Sequence, residues 1–172
     1  VTIQNCNFKG FSAFTINFAT QTNWTITNNN FTQASLNATA NPIAYIYSNG
    51  NGGNNYSNNR FENYYGGSDT TADIQAILFG NNDHNSRVEN NYIQNMTSDA
   101  EGNAFCAIEA GKSQNLTINN NEIHDIIAAG FSQPCGIFTF LANGANITNN
   151  LVNNTVVGIL TLATGTILTN NT

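Results

Sequence analysis

A short pattern of hydrophobic and polar positions recurs along the chain: an apolar residue, one variable residue, Asn, two variable residues and a second apolar residue. The motif occupies residues 3–8, 26–31, 56–61, 88–93, 118–123 and 147–152, and a seventh copy begins at 168. Its anchor Asn lies at Asn5, Asn28, Asn58, Asn90, Asn120, Asn149 and Asn170. These anchors are 23, 30, 32, 30, 29 and 21 residues apart, which is typical of a solenoid. We therefore predict about six coils of 21 to 32 residues in a single domain spanning 1–172.

Two further columns of residues support this register. An aliphatic residue lies eleven or twelve positions before each anchor from Asn28 onward: Ile16, Ile46, Leu78, Ile108, Ile137 and Ile159. Five positions before the same anchors, only Asn and Gly occur: Asn23, Gly53, Asn85, Asn115, Gly144 and Gly165. Asn and Gly tolerate the left-handed backbone conformation of sharp turns, so each coil should turn there.

Alternating apolar and polar residues around these columns predict three short strands per coil. The first strand is centred on the aliphatic column. The second should point inward with Ile26, Tyr56, Val88, Ile118, Ile147 and Leu168, and the third with Phe8, Phe31, Phe61, Ile93, Ile123 and Val152. Each strand would pair in parallel with its equivalent one coil away, at about 4.8 Å.

The repeated Ile-x-Asn-Asn-x-Ile string, followed later by Gly136-Ile137 and Gly158-Ile159, resembles the pectate-lyase-like superfamily of right-handed parallel β-helices. The resemblance covers essentially the whole chain. It implies an all-β, right-handed, single-stranded parallel β-helix in which the anchor Asn points inward and its amide stacks in a hydrogen-bonded ladder. The expected ladder is Asn5, Asn28, Asn58, Asn90, Asn120, Asn149 and Asn170. The resemblance indicates the fold alone, because this fold hosts lyases, hydrolases, epimerases, adhesins and structural proteins.

Composition narrows the classes of function. Only 8% of the residues are charged, and 10 acidic residues against four cations give a net charge of −6. The cations Lys9, Arg60, Arg87 and Lys112 do not cluster, which argues against nucleic-acid binding. No apolar run approaches the roughly 18 residues of a membrane span.

Nine Asn-x-Ser/Thr sequons favour a secreted, glycosylated protein. They begin at Asn23, Asn30, Asn37, Asn55, Asn95, Asn115, Asn146, Asn153 and Asn170. A chain this rich in Asn and Thr also creates sequons by chance, which is the competing interpretation. We expect Asn170, as a ladder residue, to be a poor acceptor, and we assign glycans to the other eight.

The outer face of the first strand is where the superfamily that the chain resembles usually carries its catalytic carboxylates. The outward positions there should be Thr15, Asn17, Tyr45, Tyr47, Ile77, Phe79, Ala107, Glu109, Gly136, Phe138 and Leu160. Glu109 is the one acid among them, whereas glycoside hydrolysis requires two carboxylates, and lyase chemistry a base with charge neutralisation. Asp69 and Asp73 could approach Glu109 from a loop, but solvated loop acids are the simpler interpretation. We therefore predict no catalytic residue.

Two His-containing pairs, Asp83-His84 and His124-Asp125, have residue types suited to acid–base chemistry or metal binding. The repeat places His84 in the turn before the second strand and His124 on the outer side of the third strand. The two histidines should therefore lie on different faces as surface polar residues. No metal-ligand spacing is present, and the Gly50–Gly53 segment lacks the Lys and helix of a phosphate loop. We predict no metal and no cofactor.

The three cysteines occupy two kinds of position. Cys106 and Cys135 fall at the same inward position of adjacent coils, close enough for a disulfide, and stacked free thiols are the alternative. Cys6 follows an anchor and should face outward, as should its equivalents Asn29, Asn59, Asn91, Asn121 and Asn150. With no partner in the predicted register, Cys6 should be free or bonded to another molecule.

Two features bear on assembly. An apolar stripe formed by Tyr45, Tyr47, Ile77, Phe79, Phe138 and Leu160 would need to be covered, either by the loops at the variable corner or by another chain. The repeat starts and stops at the same phase without a capping helix, which would expose strand edges, so the segment should be either part of a longer helix or a unit that stacks end to end. We therefore expect a non-enzymatic extracellular or cell-surface glycoprotein that assembles end to end and laterally into a filament, appendage or sheath. The alternatives are a polysaccharide lyase, hydrolase or epimerase, and a carbohydrate-binding adhesin that uses exposed Tyr residues.

Overall fold

A computed structural model describes residues 1–10, 14–33, 44–50, 52–65, 74–80, 83–98, 105–128 and 133–172. In these ranges the chain forms nineteen β-strands and no helix, and every strand pairing is parallel. The strands build three sheets of seven, six and six strands. Because successive strands enter successive sheets and every third strand returns to the same sheet, the chain winds as an all-β parallel solenoid.

The three sheets are named here in the order in which the chain enters them. Sheet A contains β1 (Thr2–Gln4), β4 (Thr25–Thr27), β7 (Asn55–Ser57), β10 (Arg87–Glu89), β13 (Thr117–Asn119), β16 (Asn146–Thr148) and β19 (Ile167–Thr169). Sheet B contains β2 (Asn7–Lys9), β5 (Asn30–Thr32), β8 (Arg60–Tyr65), β11 (Tyr92–Ser98), β14 (Glu122–Ala128) and β17 (Leu151–Asn153). Sheet C contains β3 (Phe14–Ala19), β6 (Ala44–Asn49), β9 (Ile74–Phe79), β12 (Phe105–Gly111), β15 (Pro134–Phe140) and β18 (Val157–Leu162).

The inward columns of sheets A and B follow the predicted register. In sheet A, Ile26 pairs with Ile3 and Tyr56, and the column continues through Val88, Ile118, Ile147 and Leu168. In sheet B, the rings of Phe8 and Phe31, and of Phe31 and Phe61, stack with centroids 4.8 Å apart. Stacking identical side chains at the strand spacing fills the narrow interior without voids.

The predicted Asn/Gly turn column adopts the backbone conformation that its composition indicates. Asn23, Gly53, Asn85, Asn115, Gly144 and Gly165 all have positive φ, between 53° and 71°. The anchor column from Asn5 to Asn170 also has positive φ throughout, between 53° and 58°. Both corners of sheet A are therefore left-handed turns, and Asn or Gly occupies them because other residues are strained there.

The predicted ladder residues are wrong by one position. Anchors such as Asn28 and Asn90 are exposed, as are the anchors of every other coil: Asn5, Asn58, Asn120, Asn149 and Asn170. The residues that follow them are buried and form the ladder: Asn29, Asn59, Asn91, Asn121 and Asn150, with Asn171 and Cys6 at the equivalent places. Strict alternation places Asn28 inward after Ile26, but its left-handed backbone rotates its side chain outward and turns Asn29 inward. Cys6 is accordingly half-buried rather than outward.

The predicted register of sheet C is also wrong by one position in its third strand. Ile77, rather than Leu78, pairs with Ile46 and Ile108, while Leu78 pairs with Tyr47 and Glu109. Ile77 lies 13 residues before its anchor Asn90, whereas Ile46 and Ile108 lie 12 before theirs, so counting back 12 from Asn90 misplaces this strand.

The apolar residues on the outer face of sheet C differ from those predicted, and they include the exposed Phe140 and Leu162, which pair in register. Tyr45, Ile77, Phe79, Ala107 and Gly136 were expected outside and are buried. Tyr45 and its neighbour Ile46 are both fully buried, so alternation fails at this point of the strand. The outward column that remains comprises Asn17, Tyr47, Leu78, Glu109, Phe138 and Leu160.

A disulfide joins adjacent coils of sheet C. Cys106 and Cys135 are paired in register and bonded, with Cα atoms 4.6 Å apart. Of the two alternatives for these cysteines, the structure has the covalent one. The bond closes a loop of 29 residues and fixes β12 to β15.

Candidate functional site

The outer face of sheet B holds the densest group of charged and aromatic side chains among the described residues. Strand pairing builds two outward columns there, which we call the charged face. One column is Arg60, Tyr92, Glu122 and Leu151, and the other is Glu62, Gln94, His124 and Asn153. The buried residues Phe61, Ile93 and Ile123 lie between the two columns and point to the core. In a chain with so few charges, this concentration marks the charged face as the candidate site.

Arg60 and Glu62 form the first half of the charged face. The guanidinium Nη2 of Arg60 lies 2.6 Å from Oε1 of Glu62, and Gln94 Nε2 donates to the same oxygen at 2.6 Å. The Arg60 guanidinium also lies over the Tyr92 ring, 4.4 Å from its centroid, which is a cation–π contact. The Glu62 carboxylate thus positions the Arg60 guanidinium and the Gln94 amide, and Arg60 in turn contacts the Tyr92 ring.

Glu122 and His124 form the second half. His124 Nε2 lies 2.8 Å from Glu122 Oε1, and the His124 and Tyr92 ring centroids are 5.8 Å apart. The Tyr92 hydroxyl donates to Oε1 of Gln94, which joins the two halves. The side chains of Glu62 and His124 are 17% and 19% exposed, whereas those of Arg60 and Glu122 are about half exposed. Glu62 and His124 are therefore largely shielded from solvent, whereas Arg60 and Glu122 are accessible to it.

The ion pair shifts the pKa values of both partners toward their charged forms. The hydrogen bond from Arg60 lowers the pKa of Glu62, with burial opposing and the Arg60 charge adding to the effect. The hydrogen bond to Glu62 likewise raises the pKa of Arg60. Glu62 is therefore ionised at neutral pH and acts as a hydrogen-bond acceptor only.

Two open grooves flank the charged face. One has a volume of about 380 Å³ and is lined on its exposed side by Asn90, Tyr92, Asn120, Glu122, Asn149 and Leu151. The other, of about 440 Å³, is lined by Asn63, Tyr64, Asn95, Thr97, Asp125 and Ile127. The strands of sheet B bend at this groove, because Asn63, Asn95 and Asp125 have positive φ. Both grooves combine amides, a carboxylate and apolar surface, as sites for polar organic ligands do.

The sequon asparagines differ in exposure. Five of the eight predicted acceptors, Asn23, Asn95, Asn115, Asn146 and Asn153, are exposed. Asn30 and Asn55 are half-buried, and each has a buried Oδ1 without a hydrogen-bond partner among the described residues. Asn170 is exposed rather than inward, which removes the reason given for calling it a poor acceptor. Asn37 lies outside the described residues.

Of the three acids considered and set aside as catalytic candidates, Glu109 alone lies within the described part of the chain. Glu109 is half-buried on the outer face of sheet C, where Gln75 Nε2 donates to its Oε2. Asp69 and Asp73 lie outside the described residues. Tyr45 is buried, and its hydroxyl donates to the Glu62 carbonyl oxygen at 2.9 Å. It is therefore not available to stack on a sugar, which leaves Tyr47 of the two Tyr residues considered for this face.

The two histidines lie where the repeat places them. His84 is in the turn before β10, and its Nδ1 accepts a hydrogen bond from the Gln114 backbone N–H at 3.0 Å. His124 is in β14 of sheet B. Within the described ranges, no three His, Cys, Asp or Glu side chains form a group that could hold a metal ion. No helix there is long and apolar enough to cross a membrane.

Asp83 is a buried acid that the sequence analysis wrongly placed at the surface. It is fully buried at the corner between sheets C and A, where its carboxylate accepts hydrogen bonds from Ser48, Asn54, Tyr56 and Ser86. Burial, followed by the Asp83 charge, raises the pKa of Tyr56 well above its usual range. Because four donors satisfy this carboxylate, we assign it a structural role, in which it holds the corner between sheets C and A together.

Comparison with known proteins concerns the fold. The family described as right-handed β-helix region matches residues 1–172, the full length of the chain. Neither a curated protein nor a solved structure matches it.

Proposed function

The chain belongs to the family of right-handed β-helix regions, and from this premise we propose that it is a non-enzymatic, glycosylated building block of an extracellular filament, appendage or sheath. The observation that carries the proposal is the exposure of five sequon asparagines, Asn23, Asn95, Asn115, Asn146 and Asn153. An acceptor must be accessible to the transferase and leave room for a bulky sugar. We expect Asn30 and Asn55, which are half-buried, to carry less glycan than these five.

The core supports a mechanical role. Hydrogen bonds of the Asn ladder connect each coil directly to its neighbour, and stacked Phe rings and one disulfide add further contacts between particular coils. In a solenoid each repeat contacts only its neighbours, so stiffness along the axis depends on these contacts between coils. Lateral contact would use the outward Leu78, Phe138 and Leu160 of sheet C.

Two measurements on native material test the proposal. Electron microscopy should show polymers of regular width, and site-resolved mass spectrometry should find glycans at the five exposed sequons ahead of Asn30 and Asn55. Dispersed monomers with unmodified sequons would contradict it. A polymer without glycans would retain the structural role and remove glycosylation from it.

A polysaccharide-active enzyme is the second candidate, and Glu109 is the observation that favours it. Glu109 lies on the outer face of sheet C, the face where the superfamily that the sequence resembles carries its carboxylates, and Gln75 holds it in place. Purified protein would be incubated with pectin and alginate. Turnover that disappears in Glu109→Gln and persists in Glu89→Gln, a carboxylate of sheet A, would replace the structural proposal with this one.

A further inference from the structure

Asn153 is the last residue of the second column of the charged face. It is exposed at the end of β17 and pairs in register with His124. Leu151, two residues earlier on the same strand, pairs with Glu122 and is 40% exposed. Residues two apart on a strand point to the same side about 6.6 Å apart, so a group attached to Asn153 starts directly beside Leu151, Glu122 and His124.

The surface beside Asn153 has unused hydrogen-bonding capacity. Glu122 uses Oε1 for its side-chain hydrogen bond to His124, and its Oε2 accepts none from a described residue. The 380 Å³ groove adds the exposed amides of Asn90, Asn120 and Asn149 beside the apolar edges of Tyr92 and Leu151. Carboxylates and amides accept from and donate to sugar hydroxyls, and apolar side chains cover the C–H faces of the ring.

We propose that the charged face binds the glycan attached to Asn153 of the same chain. The inference rests on the proposed glycosylation and adds a binding site to it. Covalent attachment holds the sugar at high effective concentration next to the groove, so weak contacts suffice to order it. Asn146 and Asn95 lack this arrangement, because Asn146 lies in β16 on sheet A, and Asn95 lies in the part of sheet B where its Nδ2 donates to Asn63.

Reaction of the two histidines with diethyl pyrocarbonate tests the proposal, because the chain contains only His84 and His124. The native glycoprotein and its Asn153→Gln variant are treated briefly, and the modified peptides are quantified by mass spectrometry. A glycan held on the charged face shields His124, so His124 should react about tenfold faster in Asn153→Gln, as expected for loss of one or two hydrogen bonds. His84 lies in the turn before β10, away from the charged face. It should react at an unchanged rate, which would show that the fold is intact.

Asn146→Gln is the matched control, since it removes a glycan from sheet A and should leave both histidines unchanged. An equal His124 rate in native and Asn153→Gln protein, with Asn153 shown by mass spectrometry to be glycosylated, would overturn the inference and leave the glycoprotein proposal standing. An unmodified Asn153 with glycans at the other sequons would have the same meaning. Absence of glycan from every sequon would overturn both.

Discussion

Two columns of asparagine, one residue apart in sequence, run along the solenoid in different environments. The anchor column, which includes Asn28 and Asn90, is exposed and has a left-handed backbone. The ladder column, which includes Asn29 and Asn91, is at most 2% exposed. Each ladder backbone N–H and Nδ2 donates to Oδ1 of the next ladder Asn, and Nδ2 also donates to a carbonyl of sheet A.

The same residue type therefore meets two separate physical requirements. At an anchor, Asn is selected because it tolerates positive φ, a property that Gly shares. In the ladder it is selected because one short side chain supplies both donors and an acceptor to a buried corner. Replacing one member of each column should separate the two requirements.

Removal of a central ladder residue should have the largest effect. In Asn91→Ala, the backbone N–H of Asn59 loses its acceptor and the Tyr56 carbonyl loses the Asn91 amide. Nδ2 of Asn59 loses one of its two acceptors and keeps the Ile26 carbonyl. Buried groups left unsatisfied cost about 1–3 kcal/mol each, so we expect a loss of roughly 4 kcal/mol, a large part of a typical folding free energy. Urea unfolding followed by circular dichroism would measure it. Equal losses for Asn91→Ala and Asn90→Ala would show that the columns do not differ.

The register of sheets A and B could be predicted from sequence because anchors recur at nearly constant spacing. Ladder bonds join residues 23, 30, 32, 30, 29 and 21 apart, which are the anchor spacings. The direction of the anchor side chain could not be predicted by alternation, because alternation assumes extended backbone, and a residue with positive φ ends it. Sheet C was less predictable, since Ile77 lies 13 residues before its anchor rather than 12, so Leu78 faces outward.

The spacing of the anchor Asn residues also predicts the charged face. Arg60, Tyr92 and Glu122 all stand two residues after an anchor, so the repeat places them side by side. The resemblance predicts functional carboxylates on sheet C, so it does not indicate this face of sheet B. The burial of Asp83 had no comparable signal, because its partners Ser48 and Asn54 come from a neighbouring coil and follow no repeated spacing.

Substitution at an anchor should have the second largest effect and depend on the new residue. Asn90 has φ of 57°, a conformation that costs an L-residue with a Cβ about 1–2 kcal/mol and costs Gly nothing. We expect Asn90→Ala to lose about 1 kcal/mol and Asn90→Gly to change stability by a few tenths. The exposed hydrogen bond from Asn120 to Asn90 is lost in both variants, so it cancels in their comparison. Thermal unfolding of the pair would measure the difference, and identical midpoints would contradict a conformational origin.

Cys6 offers the reverse experiment, since it occupies a ladder position without an amide. Its backbone N–H already donates to Oδ1 of Asn29 at 2.9 Å. In Cys6→Asn, the new Nδ2 can donate to the same oxygen, as Asn29 does to Asn59. We expect a gain of about 0.5–1 kcal/mol, the net value of one hydrogen bond. Cys6→Ser, which lacks the amide, is the matched control, and a gain of the same size in Cys6→Ser would assign the effect to loss of the thiol.

The smallest effect should come from pH, which distinguishes the ladder from the charged face because amides do not titrate. The folded-state pKa of Glu62 is lowered by Arg60, so the pair adds stability above the ordinary carboxyl pKa near 4.5 and loses it as pH falls through the folded value. Since Arg60 is half exposed, the contribution should be at most about 1 kcal/mol. Glu62→Gln should therefore be less stable than the parent at pH of about 6, and this deficit should shrink as the pH falls through the folded-state pKa of Glu62, whereas the loss in Asn91→Ala should not change with pH. A Glu62→Gln deficit that persists unchanged at the lower pH would mean that the side chain stabilises the charged face through packing rather than through its charge.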